Sequence, residues 1–147
     1  MALTHRKLDD RVAVAPQISE ADIAEAAGLG YRTIINNRPD NEEPGQLSAA
    51  RAAEVARSYG LNYVHVPVTM ATLGAEAVAD FDRAVRESTG PVLAHCRSGT
   101  RSTHLWAYAE ARAGRFSLDE IVHRGAQAGY DLEPLRPALK AYAGQAR

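Results

Sequence analysis

Residues 91–102, PVLAHCRSGTRS, constrain the fold of this chain more than any other stretch. Residues 91–95 are short and apolar, as a central parallel strand must be. They run directly into a polar, glycine-containing loop, and the loop runs into a helix. A strand followed by such a crossover implies a mostly parallel sheet covered by helices on both faces. The turn also gathers several backbone N–H groups into one concavity, and the helix that follows adds its positive end, so the loop favours an anion. Sheets of this kind bind ligands beyond the carboxyl ends of their strands, which is where His95 and Cys96 fall.

The rest of the chain fits this frame. Residues 11–15 (RVAVA) read as a first strand stopped by Pro16. Ser19 caps a helix, with Asp22 three residues on completing a capping box, and Gly28 and Gly30 end it. Residues 32–36 (RTIIN) predict a buried, β-branched strand. Residues 37–46 (NRPDNEEPGQ) are turn-forming throughout, a long loop of the sort that often carries function. A helix over 49–59, a strand over 62–68 with Pro67 near its end, a loop over 69–74 and a helix over 75–88 lead back to the strand at 91–95. Helices over 102–113, 118–127 and 134–143 complete the chain. The expectation is one α/β domain over residues 1–147, with a central, mostly parallel sheet of four to five strands flanked by helices.

Composition narrows the functional classes. A net charge of −1 gives no field for nucleic acid or an anionic membrane. No apolar run approaches the ~20 residues of a membrane span, and the amino terminus has no apolar core of a secretion signal. A single cysteine makes no internal disulfide and suits a reducing, cytoplasmic setting. Nucleotide and dinucleotide fingerprints are missing, so no cofactor is expected.

That cysteine is the chemical centre. Cys96 opens the loop and Arg101 closes it. The amides of Arg97, Ser98, Gly99, Thr100 and Arg101, the helix dipole and the arginine charge all stabilise a thiolate and bind an oxyanion. Gly99 supplies the positive φ the turn needs. Ser102 and His95 are expected to tune the thiolate. A buried structural cysteine is the plainer alternative, but six polar or glycine residues after Cys96 speak for a reactive one. Metal ligation is not expected: neighbouring residues of an extended chain point apart, and His65 and His104 lack ligand spacing to Cys96.

Two chemistries use such a loop. Tyrosine and dual-specificity phosphatases place five residues between cysteine and arginine, after His-Cys and before Arg-Ser/Thr. Rhodanese-type sulfurtransferases often place four. This chain has the flanks of the first and the spacing of the second. Spacing alone favours sulfur transfer through a Cys96 persulfide.

Four segments resemble one bacterial family: residues 34–46 (IINNRPDNEEPGQ), residues 63–68 (YVHVPV), HCRSGTRS with Leu105, Trp106 and Ala107, and residues 128–132 (AGYDL). They are similar to the beta-lactamase hydrolase-like, phosphatase-like domains, and the resemblance covers nearly the whole chain. It implies a fold like that of tyrosine and dual-specificity phosphatases. It also implies a setting in sulfide detoxification, with thiosulfate or a persulfide as donor, and a persulfide dioxygenase or sulfide oxidoreductase as functional partner. A thiol such as glutathione is the natural acceptor for a lone-cysteine persulfide.

A phosphatase of this type needs an acid to protonate the leaving alkoxide. The loop where one is expected, residues 69–74 (TMATLG), has no carboxylate. Asp40 is the best substitute, ahead of its neighbours Glu42 and Glu43 and of Glu76 and Asp131. Arg38 on the same loop is a candidate anion ligand. The expected function is therefore thiosulfate or persulfide sulfurtransfer. The alternative is a cysteine phosphatase working through phosphocysteine, and a second alternative is a non-catalytic oxyanion or persulfide sensor.

Overall fold

In the computed structural model, which describes residues 3–145, the apolar strand centred on Leu93 lies in the middle of the sheet. Strands β1 (Arg6–Lys7), β2 (Val12–Ala15), β3 (Thr33–Asn36), β4 (Asn62–His65) and β5 (Val92–His95) take the order β1-β2-β5-β3-β4. All pairings are parallel except the short β1–β2 hairpin. Every residue of β2, β3 and β5 is buried, as expected where helices cover both faces.

Helices α1 (Glu20–Gly28) and α2 (Ala49–Ser58) contribute to the core on one face, where Ile23, Ala26, Ala52, Val55 and Ala56 meet Ile34 and Leu93. Helices α3 (Ala75–Glu87), α4 (Thr100–Ala113), α5 (Leu118–Gln127) and α6 (Arg136–Ala143) build the other core around Phe81, Leu105, Trp106, Ile121 and Leu139. Burying side chains of this size contributes about 1.5–3 kcal/mol each. Trp106 keeps its indole N–H satisfied, donating to Asp9 Oδ2 at 3.0 Å. The capping box at Ser19 and Asp22 is complete in both directions.

Two boundaries and one strand stand out against the sequence expectation. The strand expected over 62–68 stops at His65, because Pro67 has no N–H to continue a ladder. The helix expected from Ser102 begins two residues earlier, at Thr100, since Gly99 takes the cap position with φ 93°. Strand β1 was not expected: its two exposed, charged residues carry no apolar signal. It exists because Asp9 turns the chain, its Oδ1 accepting from the N–H groups of Arg11 and Val12.

Candidate active site

The carboxyl ends of β2, β3, β4 and β5 converge on the loop that begins at Cys96. Backbone hydrogen bonds splice these ends together. The Asn37 N–H donates to the His95 carbonyl at 2.8 Å, and the Gln17 N–H donates to the Arg97 carbonyl at 3.1 Å. The N–H groups of Val66 and Val68 donate to the carbonyls of Asn36 and Asn37. The 97–101 loop is thus tied directly to the segment after β2 and, through His95, to the segment after β3, which in turn holds the segment after β4.

Cys96 stands at the floor of the loop with none of its surface exposed. The Gly99 N–H donates to its Sγ at 3.1 Å, so at least one amide of the expected nest is aimed at the sulfur. Gly99 is required there twice over. Its φ of 93° favours glycine, and a Cβ would collide with the hydroxyl of Tyr130. That hydroxyl donates to the Ser98 carbonyl at 3.0 Å and braces the loop from behind. Tyr130 has its pKa raised, first by burial and then by the charge of Cys96.

Arg101 reaches back over the loop to the segment after β3. Its Nη1 donates to Glu42 Oε2 at 2.8 Å and to the Val68 carbonyl at 2.9 Å, and its Nη2 donates to Glu42 Oε1 at 2.9 Å. Its pKa is raised, first by Glu42 and then, against burial, by Cys96. A guanidinium has five N–H donors, of which these contacts use three. The remaining two, Nε–H and one Nη2–H, lie together on one edge of the fork, and Cys96 is close enough for its charge to act on the guanidinium.

Glu42 carries a second cation. Arg38, fully buried, donates from Nε to Glu42 Oε1 at 2.8 Å, from Nη2 to Glu43 Oε1 at 3.1 Å and from Nη1 to Gln17 Oε1 at 3.1 Å. Arg38 was expected as an anion ligand. In the structure it is fully buried and directs three of its five donors to Glu42, Glu43 and Gln17, clamping the 39–47 loop against the segment after β2. Between two arginines the Glu42 carboxyl is held down to a pKa of about 2, chiefly by its hydrogen bond to Arg101.

The remaining expected residues fall as follows. Asp40, the expected acid, has its Oδ1 on the Ala49 N–H at 2.9 Å, a contact that fastens the loop to the start of α2. Ser102 is buried on α4 and donates to Asn37 Oδ1 at 2.8 Å, not to Cys96. The Arg97 side chain is 66% exposed and faces Glu43, so it adds backbone to the loop and little directed charge. Ser98 and Thr100 hydrogen-bond each other through their hydroxyls at 3.0 Å. His95 is buried, and among the described residues neither ring nitrogen has a partner in good geometry. Burial lowers its pKa to about 4, opposed weakly by the Cys96 backbone. His95 is neutral at physiological pH.

Sequence reasoning missed the parts played by Asn37 and Glu42. Asn37 looked like a turn residue; it is a buried hub whose N–H, Nδ2 and Oδ1 bind His95, Val66 and Ser102. The run RPDNEE did place acids beside Arg38, but nothing in the spacing shows that Glu42 reaches Arg101, 59 residues away in sequence.

This chain and its fold have relatives among known proteins. Residues 4–113 match the family model described as the phosphatase-like domain of beta-lactamase hydrolase-like protein. The beta-lactamase hydrolase-like protein of Xylella fastidiosa is 38% identical over 125 residues, which are 85% of this chain but 29% of that protein. The chain thus spans less than a third of its curated relatives. The crystal structure of a candidate phosphatase from Neisseria meningitidis superimposes with a TM-score of 0.82 at 37% identity, covering 93% of this chain and 96% of that one. Kinase associated phosphatase shares the fold at 14% identity, with a TM-score of 0.63 over 95% of this chain and 96% of that one. The sheet and its helices are those of a phosphatase-like fold of dual-specificity type, and the chain belongs to the beta-lactamase hydrolase-like phosphatase-like domain family.

Proposed function

We propose that this chain is a cysteine-dependent phosphatase that hydrolyses phosphate esters through a phosphocysteine on Cys96. The observation that carries the reading is the disposition of Arg101. Glu42 and the Val68 carbonyl take three of its N–H groups, which leaves a two-donor edge on a guanidinium that already feels the charge of Cys96. A planar pair of N–H donors next to an amide-lined sulfur suits a phosphoryl group in flight, whose charge spreads over three equatorial oxygens. The phosphatase-like relatives shift the expected cargo from sulfur to phosphate.

In this mechanism the thiolate of Cys96 attacks phosphorus while the Arg101 edge and loop amides hold the equatorial oxygens. Gly99 N–H steadies the thiolate before attack. Water then attacks the S–P bond, phosphate leaves and the thiolate returns. Cys96 is fully covered, so side chains over it must move for a substrate to enter; Arg101, 13% exposed, is the partly open member of the group. Glu42 positions Arg101, and Arg38 positions Glu42.

Sulfur transfer stays a second reading on one observation, the four residues between Cys96 and Arg101. Its donor, thiosulfate or a persulfide, and a thiol acceptor such as glutathione would use the same thiolate and the same arginine edge. Release of phosphate from 4-nitrophenyl phosphate by the wild type, lost in Cys96→Ser, supports the phosphatase. Thiocyanate formation from thiosulfate and cyanide, without phosphate release from any ester, overturns it in favour of sulfur transfer.

A further inference from the structure

Among the described residues, most of the titratable side chains that the chain brings near the cysteine loop already hold a structural partner. On the 39–47 loop, Asp40 binds the Ala49 N–H, Glu42 lies between Arg38 and Arg101, and Glu43 pairs with Arg38 and Arg97. At the start of α1, which follows the carboxyl end of β2, Glu20 forks onto Arg51 and Asp22 closes the capping box on Ser19. Beyond α5, Asp131 Oδ1 accepts from the Glu133 N–H, and the Tyr130 hydroxyl donates to Ser98. His65 Nε2 lies 2.9 Å from the Arg38 carbonyl, and His95 is buried without a partner. The 69–74 loop leaves Val68, whose carbonyl binds Arg101, and so borders the site with no acid in its sequence. Glu76 is the nearest carboxylate along the chain after that loop, exposed on the first turn of α3.

From these commitments we infer that the site takes phosphoryl donors whose leaving group departs as a stable anion without being protonated: acyl phosphates and aryl phosphates of acidic phenols, not alkyl phosphate monoesters. The inference rests on the phosphatase reading and deepens it by naming the substrate class. In the first step the Cys96 sulfur lone pair forms the S–P bond. The P–O bond breaks, and its electron pair leaves with the carboxylate or phenolate, so no proton is needed. In the second step water oxygen bonds to phosphorus, the S–P pair returns to sulfur, and both water protons end on dihydrogen phosphate. A carboxylate, whose acid has a pKa near 4, or an acidic phenolate leaves readily this way; the alkoxide of a serine ester, whose basicity is close to that of hydroxide, does not.

The test is kcat/KM across acetyl phosphate, 4-nitrophenyl phosphate, phenyl phosphate and phosphoserine, which reports the first chemical step. The expected result is a steep fall along that series. The drop from 4-nitrophenyl to phenyl phosphate should be large, because a general acid supplying on the order of 10²–10⁴-fold is missing. Glu76→Gln is expected to leave the series unchanged. Comparable rates for phosphoserine and 4-nitrophenyl phosphate, or loss of phenyl phosphate turnover in Glu76→Gln, overturn the inference while leaving the phosphatase reading intact. No phosphate release from any of the four overturns the phosphatase reading itself, and this inference with it.

Discussion

Glu42 and Arg101 meet end to end, Oε2 on Nη1 at 2.8 Å and Oε1 on Nη2 at 2.9 Å, although 59 residues separate them. This pair joins the loop after β3 to the cysteine loop after β5, the two segments that give the site its shape. A charge-assisted hydrogen bond contributes about 1.5–3 kcal/mol, and each 1.36 kcal/mol of lost transition-state stabilisation is a factor of ten. Glu42→Gln keeps the shape and removes the charge, so kcat/KM should fall by roughly tenfold or more with the fold preserved. Steady-state kinetics on 4-nitrophenyl phosphate checks this; an unchanged kcat/KM would remove Glu42 from the account.

Arg101→Lys is expected to behave almost like Arg101→Ala. Lysine keeps the charge but offers a single ammonium in place of a planar fork, and it cannot bind Glu42, Val68 and an oxyanion together. Recovery of most activity by lysine would show that charge alone suffices.

Ser102→Ala tests whether this hydroxyl serves the sulfur or the scaffold. Its hydrogen bond to Asn37 is buried, and an orphaned buried acceptor costs about 1–3 kcal/mol. The variant should unfold at lower urea concentration while Cys96 is alkylated at the wild-type rate. A normal urea midpoint with slowed alkylation would return Ser102 to the thiolate.

His95 should write a signature into acid stability. Its folded-state pKa is lowered from 6.5 to about 4 by burial. Between those values the unfolded chain binds a proton that the folded chain refuses. Stability therefore falls as pH drops from about 6.5 toward 4, with a limiting slope near 1.4 kcal/mol per pH unit. Glu42 acts in a lower window: its stabilisation is full above 4.5 and is lost as pH falls toward about 2. Urea midpoints measured from pH 7 to 4 should show a shallower slope in His95→Asn than in wild type; part of the slope remains because burial also lowers the pKa of His104.

Much of the fold was legible in the sequence because its signals are local. The buried runs at Ile34–Ile35 and Leu93–Ala94, the Ser19–Asp22 box and the glycine after Cys96 each specify their element through neighbours. Cys96 and Arg101 were legible for the same reason, since five positions fix their distance. The partners of Arg101 were not. Glu42, Val68 and Tyr130 come to the loop only through tertiary packing, and no spacing encodes that Asp40 caps α2 while Glu42, two residues on, turns inward. Counting loop residues favoured sulfur; the phosphatase-like relatives favour phosphate.

The central claim is that Cys96 carries the phosphoryl group. The most direct measurement is the intact mass of the protein quenched in acid during turnover of 4-nitrophenyl phosphate, compared with Cys96→Ser and with wild type given thiosulfate. The account predicts one added phosphoryl group on wild type, mapped to Cys96, and none on the variant. One added sulfur atom from thiosulfate, with no phosphoryl adduct from the ester, would contradict it.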